Sequence, residues 1–284
     1  MKTTYKGKVI IIGAGPGDPD LVTIKAVQFL QQANVVLVDR LVSEAILERY
    51  VNPHATIIPV GKQCRYGLST SQETINALLV QYATSQPLVV RLKGGDVSFF
   101  SNVLDELETL KKYSIPFEIV PGITAASGAA AYAGIPLTAR NYATAVRFLT
   151  YYKTNLIPDS YWHDLAKTDD TLVWYMSSET LEPLIEHLRQ SGIDEHKWIS
   201  VIEQATTPMQ QVYSAPVRNF LLQFGSMQFL SPSLVIIGKV ASLSHQFNWV
   251  KSSNPQHELY FPSVTGTAES YLHHELMQPY VSRT

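Results

Sequence analysis

Short β-branched runs alternate with helical segments along the first half of the chain, and this alternation constrains the fold more than any other feature. Strands are predicted over 8–13, 34–39, 56–60, 87–92 and 117–120, and helices over 21–33, 43–50, 71–83 and 103–113. Strands that alternate with helices in this way indicate a mainly parallel sheet with helices packed on it. We therefore predict an α/β fold.

The pattern changes near residues 135–138. Beyond this point strands are predicted over 146–151, 171–176, 198–203, 210–214 and 233–238, and helices over 179–191 and 216–224. A chain of 284 residues suits two domains of ordinary size. We predict an N-terminal α/β domain over 1–138, a C-terminal α/β domain over 139–250, and a tail over 251–284 to which we assign no role.

The segment 123–134 (ITAASGAAAYAG) has a helical pattern but almost no bulky side chains. Two interpretations remain open for it. A helix of small residues can pack closely against a sheet, or its first turn can let a ligand approach the backbone. Periodicity does not distinguish between them.

Composition narrows the class of protein. The chain is 45% hydrophobic and 16% charged, with a net charge of −2, and so lacks the basic excess typical of nucleic-acid-binding proteins. The single cysteine, Cys64, excludes an intramolecular disulfide and a cysteine-ligated zinc site. No secretion signal or membrane span is evident. We expect a soluble cytoplasmic protein with no metal and no nucleic-acid partner.

The glycine-rich loop after the first strand reads GAGPGDPD over 13–20. The dinucleotide fingerprint G-x-G-x-x-G requires a small residue where this chain has Asp18, and Pro16 removes an N–H donor. A carboxylate at that position would repel a pyrophosphate, although Asp39 at the end of the second strand could mimic the ribose-binding acid. A nicotinamide-dependent oxidoreductase is therefore disfavoured. A ligand without phosphate, such as S-adenosylmethionine, suits the loop better.

Several motifs in order along the chain carry a resemblance to a known family. They are GAGPGDP at 13–19, DRLV at 39–42, VGK at 60–62, RLKGGD at 91–96, VPGITAASG at 120–128 and AGIPLT at 133–138. With these motifs the chain resembles the tetrapyrrole (corrin/porphyrin) methyltransferases over roughly residues 7–245. Within that family it is most similar to the uroporphyrinogen-III C-methyltransferases.

The resemblance implies two α/β domains with S-adenosylmethionine in the cleft between them, S-adenosylhomocysteine as product, and a homodimer. The reaction implied is methylation of uroporphyrinogen III at C2 and C7, which gives precorrin-2 for sirohaem or cobalamin synthesis. It also implies that Asp39 is the proton acceptor and Lys62 the proton donor. The cofactor contacts carried over are Pro16, Gly94, Gly95, Asp96, Phe99, Thr124, Ala125, Met176 and Ala205.

The substrate of this family carries eight carboxylates and requires cations, for which arginine has a suitable geometry. The basic residues near the family motifs are Arg40, Lys62, Arg65, Arg91, Lys93, Arg140 and Arg147. Each of them alone is also compatible with a solvated surface charge. Similarly, Asp39 and Asp96 could be local caps, and Met176 could be a core residue.

The sequence departs from the family pattern at four positions. Asn102 stands at the position of an arginine in a glycine-rich stretch, Ala139 replaces a histidine, Tyr151 replaces a glycine, and Ala205 replaces another glycine. These changes fall near the expected substrate and cofactor contacts. We therefore hypothesise that the fold and cofactor binding remain, whereas substrate choice or turnover has changed.

Overall fold

The structure is a computed structural model that describes residues 7–63, 68–151, 157–251, 254, 256–261 and 268–272. The side chains at 62–63, 68–69, 178 and 269–270 lie outside this description. Contacts divide the chain into two compact units. Unit 1 comprises Met1–Thr124 and Phe261–Thr284, and unit 2 comprises Ala125–Tyr260.

Unit 1 is built around a five-stranded sheet in the order β3-β2-β6-β1-β7, in which all the pairings are parallel. Its elements are β1 (Lys8–Gly13), α1 (Ile24–Leu30), β2 (Val35–Val38), α2 (Glu44–Tyr50), β3 (Thr56–Pro59), β4 (Lys62–Gln63), β5 (Leu68–Ser69), α3 (Gln72–Ser85), β6 (Leu88–Lys93), α4 (Val103–Lys112) and β7 (Phe117–Val120). The short strands β4 and β5 form a separate antiparallel pair.

Helices cover both faces of this sheet. Strand residues such as Ile10 and Ile12 pack with α1 and α2, whereas Val9 and Ile11 pack with α3 and α4. Because successive side chains of a strand point to opposite faces, continuous apolar runs such as β1 are expected in a parallel sheet buried on both sides. The helix α3 begins at a cap in which the Ser71 hydroxyl accepts the Thr74 N–H at 3.1 Å.

Unit 2 contains a mixed five-stranded sheet in the order β11-β10-β12-β9-β8. Only β8 and β9 pair in parallel, and β12 runs antiparallel to both of its neighbours, β9 and β10. Its elements are α5 (Ala125–Tyr132), β8 (Val146–Thr150), α6 (Asp159–Lys167), β9 (Thr171–Tyr175), α7 (Leu181–Gln190), β10 (Trp198–Glu203), β11 (Gln211–Pro216), α8 (Val217–Phe224), β12 (Ser233–Gly238) and α9 (Ser244–Phe247).

The segment of small residues forms the helix α5, and its packing explains its composition. Ala126, Ala129 and Ala130 are buried in one cluster with Val173 and Ile236 of the unit 2 sheet. Small side chains let the helix backbone lie close to that sheet, which is the first of the two interpretations left open above. The unit boundary consequently falls between Thr124 and Ala125 rather than at 138–139.

The predicted tail also differs from expectation, because its described residues are packed. Asn254 and residues up to Tyr260 belong to unit 2, and Phe261 onwards belongs to unit 1. In unit 1, Ala268 is buried against α3, and the Gln81 amide donates to the Tyr271 carbonyl at 2.8 Å. Sequence periodicity could not predict this packing, since the segment has no helical or strand period.

The α/β class and the two-domain architecture are confirmed. Most predicted elements differ from the observed ones by one to three residues at an end, which is the usual uncertainty of helix and strand boundaries. The helix α6 was not predicted, although Trp162, Leu165 and Ala166 form its buried face. Within the described ranges, no helix has the length and apolar character needed to cross a bilayer.

Candidate active site

Three loops of unit 1 converge where the strands β1, β6 and β7 end. Gly15 and Gly95 exchange two backbone hydrogen bonds, with the Gly15 N–H donating to the Gly95 carbonyl at 3.1 Å and the Gly95 N–H donating back at 2.7 Å. Both residues have positive φ angles, of 81° and 67°. Glycine adopts this backbone at little steric cost, so the sequence allows two loops to meet in this way.

Gly13 and Gly122 allow the third loop to join the other two. A Cβ atom on Gly122 would lie 2.3 Å from the Gly95 carbonyl oxygen and 2.6 Å from the Gly13 carbonyl oxygen. A Cβ on Gly13 would lie 2.6 Å from that same Gly95 oxygen. Because all these neighbours are backbone atoms, they cannot move aside as a flexible side chain could. The glycines are therefore required by packing between loops.

Two amide groups of the first loop donate to backbone carbonyls within the protein. The Ala14 N–H donates to the Lys93 carbonyl at 2.8 Å, the Gly15 N–H donates to Gly95, and Pro16 has no N–H. The Asp18 carboxylate accepts the Asp20 N–H at 2.8 Å and so caps the turn that follows. The amides of Ala14 and Gly15 are thus committed to backbone acceptors, and Pro16 supplies none, which reduces the donors that this loop could offer to a pyrophosphate. The residues present fit a ligand without phosphate, as S-adenosylmethionine is.

Asp96 braces two of the converging loops. Its carboxylate accepts the Ser98 N–H and the Gly122 N–H, each at 2.8 Å. The residue is buried. A local role for Asp96 was one of the two alternatives above, and this geometry supports it. Its carboxylate is positioned by backbone donors rather than presented to solvent.

Asp39 follows β2 at the same edge of the sheet. Its N–H donates to the Leu92 carbonyl at 2.9 Å, and its carboxylate accepts the Arg40 N–H at 2.8 Å. The Asp39 side chain is 30% exposed, and its other oxygen lies 4.0 Å from the Arg91 guanidinium. Burial lowers the pKa of Arg40, and the Asp39 charge partly offsets this. The carboxyl edge of a parallel sheet is where chemistry is expected in such folds.

Arg91 and Lys93 require a correction. Both were expected to bind substrate, but they are 2% and 3% exposed and both contact Glu106 of α4. Arg91 Nε and Lys93 Nζ lie 3.0 and 2.9 Å from the same Glu106 oxygen. The Arg91 guanidinium also donates to the carbonyls of Leu37 and Leu92. Both side chains are buried and paired with Glu106, so the predicted contact with substrate does not fit their burial.

The charges in this buried cluster perturb one another. Burial opposes ionisation of Glu106, but Arg91 and Lys93 outweigh it and hold the pKa of Glu106 below its ordinary value. Burial lowers the pKa of Lys93, as does Arg91, while Glu106 opposes both effects. The second oxygen of Glu106 is buried, and it has no hydrogen-bond partner among the residues that the structure describes. One carboxylate therefore serves two cations, and Asp39 is the next nearest anion to Arg91.

The remaining predicted cations are placed differently. Arg140 is exposed in unit 2, in the turn after α5. Arg147 on β8 pairs with Asp164 and with Asp170, the latter at 2.6 Å, so it is not an open cation. Arg65 and the side chain of Lys62 lie outside the described residues. Their predicted roles stay predictions.

The predicted contacts in unit 2 share one edge of its sheet. The strands β8, β9 and β10 all end there, because β12 runs antiparallel to β9 and β10 while β8 is parallel to β9. Met176 follows β9 and is 57% exposed with a positive φ of 54°. An exposed methionine in left-handed backbone is not a core residue, which removes the packing alternative. Strained backbone of this kind is frequent at functional sites.

Ala205 lies after β10 between two left-handed residues. Gln204 and Thr206 have φ angles of 46° and 65°, whereas Ala205 is not among the positive-φ residues. The backbone therefore does not demand glycine at 205, and the family's glycine is replaced there without left-handed strain. Beside this loop, Glu203 is fully buried, and burial raises its pKa although the Leu230 N–H donates to it.

The Tyr151 side chain is packed against other aromatic rings of unit 2. Its ring makes edge contacts with Trp162, Trp174 and His187 at centroid distances of 5.5, 6.5 and 6.2 Å. Its ring is therefore accommodated in the aromatic cluster on the α6 and α7 side of the unit 2 sheet. Within unit 2, the larger side chain that replaces the family's glycine is thus packed among aromatic neighbours.

Other predicted positions lie at the edges just described. Pro16, Phe99 and Thr124 of unit 1 are half-buried, as is Ala125 of unit 2. Asn102 is exposed and left-handed, and it precedes α4 without a side-chain cap. Ala139 closes a turn with Ala143, in which each N–H donates to the other's carbonyl at 3.0 and 3.1 Å.

Sequence reasoning missed two residues that organise these edges, Glu106 and Gln204. Glu106 carried a detectable signal, because it sits on the apolar face of α4 near Val103 and Leu110, where a carboxylate must be paired. Gln204 carried none, since its partners lie in a segment without periodicity. Among the described residues, no cluster of His, Cys, Asp and Glu is arranged to hold a metal ion.

Comparison with known structures defines the class first. The fold is similar to a cobalt precorrin-4 methyltransferase of cobalamin biosynthesis, with a TM-score of 0.73 and 27% identity over 82% of this chain and 95% of that one. It is also similar to the uroporphyrin-III C-methyl transferase of Thermus thermophilus in complex with S-adenosyl homocysteine. That comparison gives a TM-score of 0.70 and 34% identity over 84% of this chain and 100% of that one.

Sequence comparison then gives the family. A family model described as Tetrapyrrole (Corrin/Porphyrin) Methylases matches residues 8–220. The siroheme synthases of Acinetobacter baylyi and Neisseria meningitidis serogroup A are 45% and 44% identical over 87% and 90% of this chain. The chain spans about half the length of these curated relatives, 54% and 53%.

This chain belongs to the tetrapyrrole methylase family. The family and the enzyme class predicted from the motifs are confirmed, as is the prediction that the methyl donor of this family is S-adenosylmethionine. The alternative function, a nicotinamide-dependent oxidoreductase, is supported neither by the glycine loop nor by the family.

Proposed function

We propose that this protein transfers methyl groups from S-adenosylmethionine to C2 and C7 of uroporphyrinogen III, giving precorrin-2 for sirohaem or cobalamin synthesis. One observation carries the proposal. This chain aligns with 100% of the Thermus uroporphyrin-III C-methyl transferase at 34% identity. Its identity to the precorrin-4 methyltransferase, whose fold is equally similar, is 27%.

The proposed roles follow from chemistry at the two loop edges. When bound, S-adenosylmethionine supplies an activated methyl group, so the protein mainly has to align the reacting atoms. Asp39 would accept the ring proton, because its half-exposed carboxylate lies at the carboxyl edge of the sheet and is oriented by the Arg40 N–H. Lys62 would return a proton.

The cofactor would contact the backbone of Pro16, Gly94 and Gly95, together with Phe99, Thr124 and Ala125. Met176 would offer an exposed apolar surface suited to adenine, and Ala205 would present its backbone. Asp96 would act by holding the loops at Ser98 and Gly122. A homodimer and a cytoplasmic location belong to the same proposal.

A second candidate function rests on the number of available cations. Arg91 and Lys93 are internal, and Asn102 stands where the family has an arginine. Of the basic residues predicted from the motifs to bind substrate or donate a proton, Arg40, Lys62, Arg65 and Arg140 keep a proposed role toward a substrate with eight carboxylates. A diverged enzyme that methylates or binds a tetrapyrrole with fewer carboxylates would need fewer cations.

The test combines binding and turnover. Calorimetry with S-adenosylhomocysteine measures cofactor binding, and anaerobic incubation with uroporphyrinogen III and S-adenosylmethionine is followed by mass spectrometry. We expect binding and a product heavier by two methyl groups, and we expect Asp39→Asn to bind the cofactor normally with strongly reduced turnover. Binding without this product favours the diverged enzyme. Absence of binding rejects both functions.

A further inference from the structure

The segment that ends unit 2 is held against the loop that carries Ala205. We call residues 254 and 256–260 the C-terminal strap. The Gln204 side-chain amide donates to the Glu258 carbonyl at 2.9 Å and accepts the Tyr260 N–H at 2.6 Å. One fully buried glutamine thus pairs with two backbone groups of the strap, as a neighbouring strand would.

Asn254 shapes the strap for this pairing. Its side chain accepts the Glu258 N–H and donates to the Glu258 carbonyl, both at 2.8 Å. The Glu258 carbonyl therefore receives two amide donors, one from Asn254 within the strap and one from Gln204 of the loop. Asn254 is itself buried. The strap is a closed turn that presents a fixed acceptor and a fixed donor to Gln204.

The loop needs such support because its backbone is strained. Gln204 and Thr206 flank Ala205 in left-handed conformations, which are unfavourable for a residue with a Cβ atom. Such conformations persist only where the surroundings enforce them. The Thr206 N–H donates to the buried Gln210 side chain at 2.8 Å, and the Gln204 N–H donates to the Pro232 carbonyl at 2.8 Å. The strap adds to these contacts by holding the Gln204 side chain.

We propose that the C-terminal strap positions the Gln204–Ala205–Thr206 loop for cofactor binding, and that Gln204 and Asn254 are positioning residues. The inference rests on the proposed cofactor contact at Ala205. The family match covers residues 8–220 and thus does not include the strap. If the strap is released, the loop can relax from its left-handed backbone, and the Ala205 backbone is then no longer held for the ligand.

The decisive comparison uses three full-length proteins: the wild type, Asn254→Ala and Glu258→Ala. Asn254→Ala removes both side-chain hydrogen bonds that close the strap and keeps the backbone bond from the His257 N–H to the carbonyl of residue 254. Glu258→Ala is the matched control, because the Glu258 side chain is exposed and only its backbone takes part. We expect the dissociation constant for S-adenosylhomocysteine to rise about tenfold in Asn254→Ala and to stay unchanged in the control. Calorimetry is done at a temperature where circular dichroism shows all three proteins folded.

A second measurement does not depend on the ligand. In Asn254→Ala, hydrogen exchange at the Tyr260, Thr206 and Thr207 amides is expected to accelerate together.

Gln204→Glu keeps the acceptor for Tyr260 but loses the donor to Glu258, so it should bind the cofactor better than Gln204→Ala.

The outcomes separate the two proposals. Wild-type protein that does not bind S-adenosylhomocysteine rejects the proposed function, and the inference with it. If the wild type binds and Asn254→Ala binds equally well, the strap proposal alone is wrong. Equal weakening in Glu258→Ala also overturns it, because that result assigns the effect to something other than strap closure.

Discussion

The loops that end the unit 1 sheet meet one another at glycines, whereas those at the shared edge of the unit 2 sheet place Met176, Gln204 and Thr206 in left-handed backbone. In unit 1 the loops touch because Cβ atoms are absent, as at Gly13 and Gly122. In unit 2 the loop of Gln204 and Thr206 is held by hydrogen bonds of the Gln204 and Gln210 side-chain amides.

The difference shows two physical ways to hold a loop at a strand end. Close packing of backbone against backbone restricts each loop to one conformation. In unit 1 the buried ion pairs of Arg91, Lys93 and Glu106 add to this restriction. Hydrogen bonds between neutral groups hold a loop more weakly, since each contributes about 1 kcal/mol net. Substitutions in unit 1 should therefore cost more stability than substitutions in unit 2.

Glu106→Gln is expected to have the largest effect. It leaves Arg91 and Lys93 buried without their shared counter-charge, and removing one partner of a buried ion pair costs about 3–5 kcal/mol. The free energy of unfolding is measured with urea. Glu108→Gln on the same helix is the control, because Glu108 is exposed and should change stability by less than about 0.5 kcal/mol. A Glu106→Gln protein as stable as this control would contradict the comparison.

The same cluster predicts acid sensitivity. The pKa of Glu106 in the folded protein is held below its unfolded value by Arg91 and Lys93. Its contribution to stability is therefore present above the unfolded pKa of about 4.3 and is lost as the pH falls through the lowered folded value. Unfolding measured across this range should show a steeper loss of stability in the wild type than in Glu106→Gln.

Gly122→Ala is expected to have the next largest effect. Its Cβ would meet the backbone of Gly95 and Gly13, and overpacking of this kind costs about 1–3 kcal/mol. Gly192→Ala in unit 2 is the contrast. There the Cβ would meet only the flexible end of Lys167, although φ is +82°. We expect Gly192→Ala to cost about 1 kcal/mol, from backbone alone. Equal losses would show that a collision with backbone atoms costs no more than left-handed backbone alone.

Met176→Gly is expected to have the smallest effect on stability, with the opposite sign. Glycine relieves the left-handed strain but gains freedom in the unfolded chain, so the net gain is about 0.5–1 kcal/mol. Little packing is lost, because Met176 is 57% exposed. Met176→Ala keeps the Cβ and should not be stabilised. Thermal unfolding measures the difference between the two variants.

Met176→Gly and Met176→Ala also test the proposed contact between Met176 and the cofactor. If Met176 packs on adenine, glycine and alanine at this position should weaken S-adenosylhomocysteine binding by similar factors, whatever their stabilities. Unchanged affinity in both would remove Met176 from the proposed site and would leave its strained backbone without a functional reason.

The sequence alone determined the alternation of strands and helices, the close approach at the glycine loops, and the family. These depend on short-range preferences: β-branched runs favour strands, and glycine is needed where Cβ atoms would collide. The strand β6 also contained information about Arg91 and Lys93, which alternate with Leu92 and so share the face of buried Val89. In a central strand covered on both faces, such cations have to be paired internally.

Only the tertiary structure decided where those charges find their partner and what covers the unit 2 loop. Glu106 reaches Arg91 from a helix that follows the strand, and Gln204 meets Glu258 across 54 residues of sequence. The aromatic packing of Tyr151 likewise depends on α6 and α7. Long side chains take their orientation from whichever distant element fills the space beside them, and no local preference specifies that neighbour.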